Sequence, residues 1–363
     1  MTTKKPTHST ALYIPAGFYL LRTPVLPANV YTRLSATSPQ HDHEAVTEAS
    51  CYQLLHELVE QPQIRLAVAV ASPSLLESIE RLRAGKASAA QAERTYKGVL
   101  RYLIRMSSRP TPFGLFAGVA LGTFTGQTSA QLALPPIAST RTRTDMGWLL
   151  EVIQKMEQLP ELVHQLRVRS NQTTYIAGGR LLLPRADIYG QQDGRAISLR
   201  ATPVVLKTVQ LAQHGIPYPE LVAALQATYP QATTRQIEQM LSQLWDHHIL
   251  IGELHPPLNE AQPARYLAEQ LASVHGIDQV KTALEEILVQ SAELDEAGAN
   301  APLALLKLKK LERSQAQLVE DEKYRPVQID TALRLKAAGC HQHIAEAAAQ
   351  AAELLLRMTP LPQ

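Results

Sequence analysis

Two cysteines in 363 residues are too few for a disulfide framework. That scarcity favours a reducing compartment, so a cytoplasmic protein is expected. Long hydrophobic runs are missing as well. The longest, Leu66 to Ala71, falls far short of the roughly 20 apolar residues that a spanning helix needs. The chain starts Met-Thr-Thr-Lys-Lys-Pro-Thr-His-Ser-Thr, without the apolar core of a signal peptide. Excess charge of either sign is absent: the formal net charge is +2, so nucleic-acid contact requires a local basic patch. His247-His248 and His341/His343 have no partners at ligand spacing, and no metal is expected. No internal repeat or low-complexity tract interrupts the chain. What remains is 45% hydrophobic and 19% charged, the make-up of a soluble globular protein long enough for two or three domains.

The patterning is mixed. Residues 11–31 read as a strand running into a proline-bounded loop, and Cys51 to Glu60 as a helix. Leu66 to Ala71 reads as a compact apolar strand. Ser74 and Glu77 then stand in capping-box register for a helix reaching about Arg83. The strongest periodicity lies over residues 91–107, where Tyr96, Val99, Leu100, Leu103 and Ile104 form one apolar stripe. Opposite it Arg94, Lys97, Arg101 and Arg105 fall within roughly an 80° arc, read as a basic face with no acid interleaved. Leu115 to Phe124 suits a buried strand. Asp145 opens an amphipathic helix from Met146 to about Leu159, where an N-cap is its ordinary role.

Residues 173–200 alternate short β-like runs with Gly-Gly and Gln-Asp-Gly turns, and so read as hairpins. Helices are predicted over Pro203–His214, Tyr218–Thr228 and Thr233–His247, the last with Thr233 and Gln236 in capping-box register. Ile249-Leu250-Ile251 closes the group as a strand. Three short helices flanked by strands suggest a winged helix-turn-helix. Its third helix carries Arg235, Glu238 and Asp246, which is not a basic recognition helix, and a strand edge beside a helix groove also suits a peptide. Helices follow over residues 263–320, split near Gly298 and Pro302, then a short strand Val327-Gln328-Ile329-Asp330 and an Ala/Leu-rich helix from Ile344 to Met358. The expected fold class is α+β, with mixed helices, mostly antiparallel sheets and an embedded winged helix-turn-helix unit. The expected division is 1–165, 166–258 and 259–363.

Chemistry concentrates in residues 105–122, Arg-Met-Ser-Ser-Arg-Pro-Thr-Pro-Phe-Gly-Leu-Phe-Ala-Gly-Val-Ala-Leu-Gly. Two guanidinium groups stand four residues apart where the helix must end, because Pro110 and Pro112 fix φ and cannot continue it. Arg109 and Thr111 then sit on a stiff elbow, and arginine's planar fork suits phosphates and carboxylates. A helix stop before a buried strand is the structural alternative.

This stretch resembles the lantibiotic dehydratase N-terminal family. Leu21-Arg22-Thr23-Pro24, Ala71-Ser72-Pro73-Ser74-Leu75 and Val327-Gln328-Ile329-Asp330 agree with it in order and spread. The resemblance implies an enzyme part that transfers glutamate from glutamyl-tRNA to Ser or Thr of a ribosomally made precursor peptide. A separate elimination domain then yields the dehydroamino acid. It implies functional roles for Arg105, Arg109, Thr111, Asp145 and Asp330, with glutamyl-tRNA as co-substrate and no other cofactor. Arg94, Lys97 and Arg101 are the expected tRNA-binding residues. Residues 166–258 are expected to recognise the leader of the precursor, and residues 259–363 to return to the glutamylation domain.

The family's later arginines and its elimination domain have no counterpart here, so the chain is expected to be truncated and to act with a complementing chain. The alternatives are a non-catalytic leader-binding scaffold, half of a split dehydratase, and a DNA-binding regulator. The last has no use for the 105–122 motif.

Overall fold

A computed structural model describes residues 12–36, 48–186, 194–298, 300–319 and 327–359. In chain order the elements are β1 (Phe18–Pro24), α1 (Ala28–Ala36), α2 (Glu48–Glu60), α3 (Pro62–Ala71), α4 (Pro73–Arg83), α5 (Ala89–Ser108), β2 (Ala117–Thr125) and β3 (Ser129–Thr144). There follow α6 (Met146–Glu157), α7 (Pro160–Val163), β4 (Arg167–Ser170), β5 (Tyr175–Ala177), β6 (Arg180–Leu183), β7 (Ile197–Arg200), α8 (Pro203–Leu211), β8 (Ile216–Pro217), α9 (Tyr218–Thr228), α10 (Thr234–Asp246) and β9 (Leu250–Gly252). The chain closes with α11 (Pro263–Leu271), α12 (Asp278–Ala297), α13 (Ala301–Leu318), β10 (Val327–His341) and α14 (Gln342–Met358). The fold is α+β, as expected.

The chain divides into two compact units. The first takes Met1–Arg141, Ala297–Leu305 and Ile329–Gln363, the second Thr142–Glu296 and Leu306–Gln328. In the first unit a sheet has the order β1-β2-β10-β3. β1 runs antiparallel to β2, while β10 runs parallel to it with Ala332 opposite Val119. Leu55, Ile64, Ile79, Leu103, Met106 and Phe116 are fully buried in this unit.

The second unit holds two three-stranded sheets, β8-β4-β9 and β5-β6-β7, and their pairings are antiparallel. Its helices bury Leu149, Ile153, Leu221, Leu241 and Leu284.

Local chemistry explains most boundaries. Ser88 and Gln91 form a reciprocal capping box at the start of α5, and Thr233 and Gln236 do the same for α10. Thr202 caps α8 with Pro203 at its first position. Gly178 and Gly179 both adopt positive φ (58° and 73°), the conformation that a two-residue turn between β5 and β6 needs. The Gln-Asp-Gly turn falls largely on Gln192 and Asp193, outside the described residues.

Several expectations are corrected. Leu66 to Ala71 is not a strand but the second half of α3, entered at Pro62. Its residues are all buried, so no polar face reveals the helical period. The cap of α4 is Ser72, whose hydroxyl accepts from the Leu75 amide, rather than Ser74. Pro73 sets the helix start one position after that cap. The loop expected after Pro24 gives way to α1 from Ala28. The strand expected to stop at Asp330 continues to His341.

Candidate functional site

The elbow after α5 is built from four distant stretches. Arg109 ends α5 in extended geometry (φ −106°, ψ 116°), its amide donating to the Arg105 carbonyl at 3.1 Å, as the following proline requires. Beyond Pro112 the chain doubles back, with the Phe116 amide on the Phe113 carbonyl at 3.0 Å and Gly114 at φ 52°. A side chain at Gly114 would suffer both that backbone strain and contact with Val70 of α3 at 3.2 Å.

The end of β1 is fastened to both sides of the elbow. The Val25 amide donates to the Phe116 carbonyl at 3.0 Å, and the Leu26 amide to the Met106 carbonyl at 2.9 Å. β10 is fastened too, since the Thr331 hydroxyl donates to the Gly114 carbonyl at 2.8 Å. The stretches around Arg22, Ala71, Arg105 and Asp330 therefore meet at one place in the first unit.

Three arginines stand at that end of α5 and on the elbow, Arg101, Arg105 and Arg109. Some cations of this unit are paired: Arg83 bonds Glu60 at 2.8 Å and Glu80 at 3.1 Å, and Arg65 bonds Glu80. Lys97 also pairs, with Glu93 at 2.5 Å, an acid that stands beside the basic arc of α5 rather than on it. The ammonium holds the Glu93 carboxyl below its ordinary pKa by hydrogen bonding and by charge. Arg94 donates to the Ala90 carbonyl at 3.2 Å. Arg101, Arg105 and Arg109 have no carboxylate partner among the described residues.

Arg105 is half-buried, with its Cζ 4.1 Å from the centre of the Phe113 ring and its Nε buried without a hydrogen bond. Arg109 and Thr111 are exposed on the elbow. Asp330 is exposed at the start of β10, next in sequence to the Thr331 that bonds the elbow.

Two neighbours escaped the sequence reading. Arg22 lies opposite Val119, which lies opposite Ala332, so Arg22 and Asp330 share one face of the sheet. The β-alternation around Arg22 could have shown its face, but not which strands flank it. Phe113 read only as part of an apolar run.

Asp145 belongs to the second unit. It caps α6, its Oδ1 accepting from the Gly147 amide at 2.8 Å and more weakly from the Trp148 amide at 3.4 Å. The ordinary reading of that aspartate is the one the structure contains. The strand just before it is pinned by Asp295, which accepts from the Thr142 amide at 2.8 Å and from its hydroxyl at 2.7 Å.

The second unit also carries two clefts. One, of about 910 Å³, runs between the outer strand β5 and α8, lined by Asn171, Thr174, Ile176, Leu206, Gln210 and Tyr229 among others. The other, of about 500 Å³, runs along α10 past Tyr218, Arg235, Glu238, Trp245 and Asp246. Burial, assisted by the nearby Glu238 charge, pushes the Tyr218 hydroxyl up to about 12. Among the described residues no group of His, Cys, Asp and Glu could hold a metal, and no helix is long and apolar enough to cross a membrane.

Comparison with known proteins fits this layout. Residues 60–363 match the family described as "Lantibiotic dehydratase, N terminus". The subtilin biosynthesis protein SpaB of Bacillus subtilis is 28% identical over 284 residues, which cover 77% of this chain and 26% of SpaB. The tRNA-dependent lantibiotic dehydratase MibB from Microbispora sp. 107891 has a similar structure, with a TM-score of 0.72 and 25% identity over 96% of this chain and 32% of MibB. The glutamylation domain TbtB from thiomuracin biosynthesis, at 17% identity and a TM-score of 0.51, shares the fold over 78% of this chain and 34% of its own. The chain spans about a quarter to a third of the length of these proteins.

Proposed function

The chain belongs to the lantibiotic dehydratase N-terminal family, and from that premise we propose that it grips glutamyl-tRNA during glutamate transfer to Ser or Thr of a precursor peptide. The observation that carries the reading is the run Arg101, Arg105 and Arg109 at the end of α5 and on its elbow, without carboxylate partners among the described residues. An unbalanced guanidinium fork on a rigid elbow suits an anion supplied from outside, and phosphate or the glutamyl carboxylate both fit it. Arg94, Lys97 and Arg101 extend the positive charge along α5 toward the tRNA backbone.

The chemistry is acyl transfer. The peptide hydroxyl oxygen attacks the ester carbon of glutamyl-tRNA, the new C–O bond forms, and the bond to the ribose oxygen breaks. The hydroxyl proton ends on that ribose oxygen. Asp330, exposed beside the elbow, is suited either to relay the proton or to hold the glutamyl ammonium. Thr111 on the elbow is suited to hydrogen-bond the bound group. Asp145 enters as a second candidate acid on the strength of the family resemblance.

The precursor is assigned to the 166–258 segment, read as a winged-helix-like element. The outer strand β5 and the cleft beside α8 favour a peptide added as a further strand. The helix α10, with Arg235 balanced by Glu238 and Asp246, does not favour duplex DNA.

Because the chain covers about a third of its relatives' length or less, full activity is assigned to it together with a complementing portion. The decisive test is mass spectrometry of precursor peptide incubated with glutamyl-tRNA, with and without that portion, paired with filter binding across salt. Arg101→Glu should weaken binding and flatten the salt slope, and Arg109→Ala should remove glutamyl adducts. Unchanged affinity and slope in both variants would overturn the tRNA reading.

A further inference from the structure

We propose that Phe113 is a positioning residue for the anion site: its ring holds the Arg105 guanidinium so that the outer nitrogens face the bound group. The inference rests on the reading above, in which Arg105 grips an anion. Arg105 comes from the last turn of α5, and Phe113 returns over it from the far side of the elbow, with Cζ 4.1 Å above the ring centre.

No ion pair among the described residues fixes that guanidinium. Among the described residues it has no carboxylate partner, and its Nε is buried without an acceptor. A long arginine side chain left to itself would sample many rotamers. A ring face against the guanidinium restricts that freedom and, having no oxygen acceptor, leaves N–H donors for a bound group, which a salt bridge would not do.

The ring itself is anchored. Phe113 packs on Phe116 with centroids 5.5 Å apart, Phe116 is fully buried, and Tyr102 of α5 meets Phe116 edge-on at 5.1 Å. The turn bond between the Phe113 carbonyl and the Phe116 amide fixes the backbone at the same point. The Pro-Thr-Pro elbow accordingly has a second use besides ending the helix: it brings an aromatic face back onto the arginine that precedes it.

The test uses the full chain with glutamyl-tRNA as the probe. Phe113→Leu removes the π face and keeps an apolar side chain, whereas Phe113→Tyr keeps the face. Cation–π contacts of this kind correspond to roughly a 2- to 30-fold change in affinity, so Phe113→Leu should weaken binding within that range and Phe113→Tyr should bind within about twofold of the parent. In an Arg105→Ala background Phe113→Leu should cost nothing more, because the contact is already gone. A readout independent of RNA is the Nε–Hε resonance of Arg105 in selectively labelled protein. It should be displaced by the ring current in the parent and in Phe113→Tyr, and return to the ordinary arginine position in Phe113→Leu. Should Phe113→Leu fail to fold, Phe113→Met takes its place in both measurements.

Parent-like binding by the leucine variant while Arg105→Ala binds poorly overturns the positioning role alone. So does a further loss on the Arg105→Ala background, or a resonance that ignores the substitution. If Arg105→Ala and Arg109→Ala both bind like the parent, the tRNA reading fails and takes this role with it.

Discussion

Asp145 offers the sharpest separation of a structural role from a chemical one. Its Oδ1 accepts from two orphan amides at the start of α6, at 2.8 and 3.4 Å, and its charge sits at the positive end of that helix. Replacing an N-cap aspartate by alanine costs on the order of 1 kcal/mol, with a range of about 0.5–2. Loss of the charge at the helix end is part of that cost, about 0.3–1 kcal/mol when the helix end is exposed. Asparagine still caps, so Asp145→Asn should lose only that charge-dependent part. A unit of this size moves its midpoint by roughly 2–4 °C per kcal/mol. Asp145→Ala should therefore melt about 2–5 °C lower, and Asp145→Asn about 1–3 °C lower. Both tryptophans, Trp148 and Trp245, are buried in the second unit, so their fluorescence reports its unfolding directly. Denaturant titration of the three proteins gives the numbers. If alanine leaves the midpoint untouched, the capping account is wrong. If asparagine is nearly as stable as the parent yet abolishes glutamyl adducts in the complemented reaction, the carboxylate acts in the chemistry as well as in the cap.

Gly118→Ala should destabilise the first unit by about 1–3 kcal/mol, because its Cβ would stand 2.6 Å from the Thr331 carbonyl oxygen, backbone that cannot turn aside; protection of the β10 amides in hydrogen exchange should fall, and unchanged protection would contradict the close approach. Tyr218 supplies a pH test. Its folded pKa of about 12 lies above the ordinary 10, so its contribution to stability is complete below pH 10 and is lost as pH rises toward 12. Stability measured from pH 9 to 12 should fall less steeply in Tyr218→Phe than in the parent, and identical slopes would show that the hydroxyl is not held in its neutral form.

The sequence revealed helices where the helical period was clear. α5 by its apolar stripe, α6 behind Asp145, and α10 with Thr233 and Gln236 all stand close to their expected spans. It misled where one type of residue covered every face. The buried turns of α3 show six apolar residues in a row, and a run that short does not distinguish strand from helix. The far half of β10 was hidden by Ala337, Ala338 and Gly339, which carry little β-signal. At the site, Arg105, Arg109 and Thr111 were legible because prolines announce the elbow. The contact of Phe113 with Arg105 depends on how the elbow turns back, and the placing of Arg22 on the face of Asp330 on strand pairing between distant segments. Glu93 was legible as a partner for Lys97 at i−4, and counting only the basic arc passed over it.

The order β1-β2-β10-β3 has a kinetic consequence. β2 and β3 follow one another in the chain, yet β10 lies between them after an excursion of some two hundred residues that includes most of the second unit. During synthesis β2 and β3 emerge long before β10, so their shared neighbour in the sheet is missing throughout that interval. Closing so long a loop adds little to the equilibrium cost, since that cost grows only logarithmically with length, but non-local pairing slows the search. The elbow bonds Thr331 of β10, so that contact of the arginine site closes only after the intervening residues have been made.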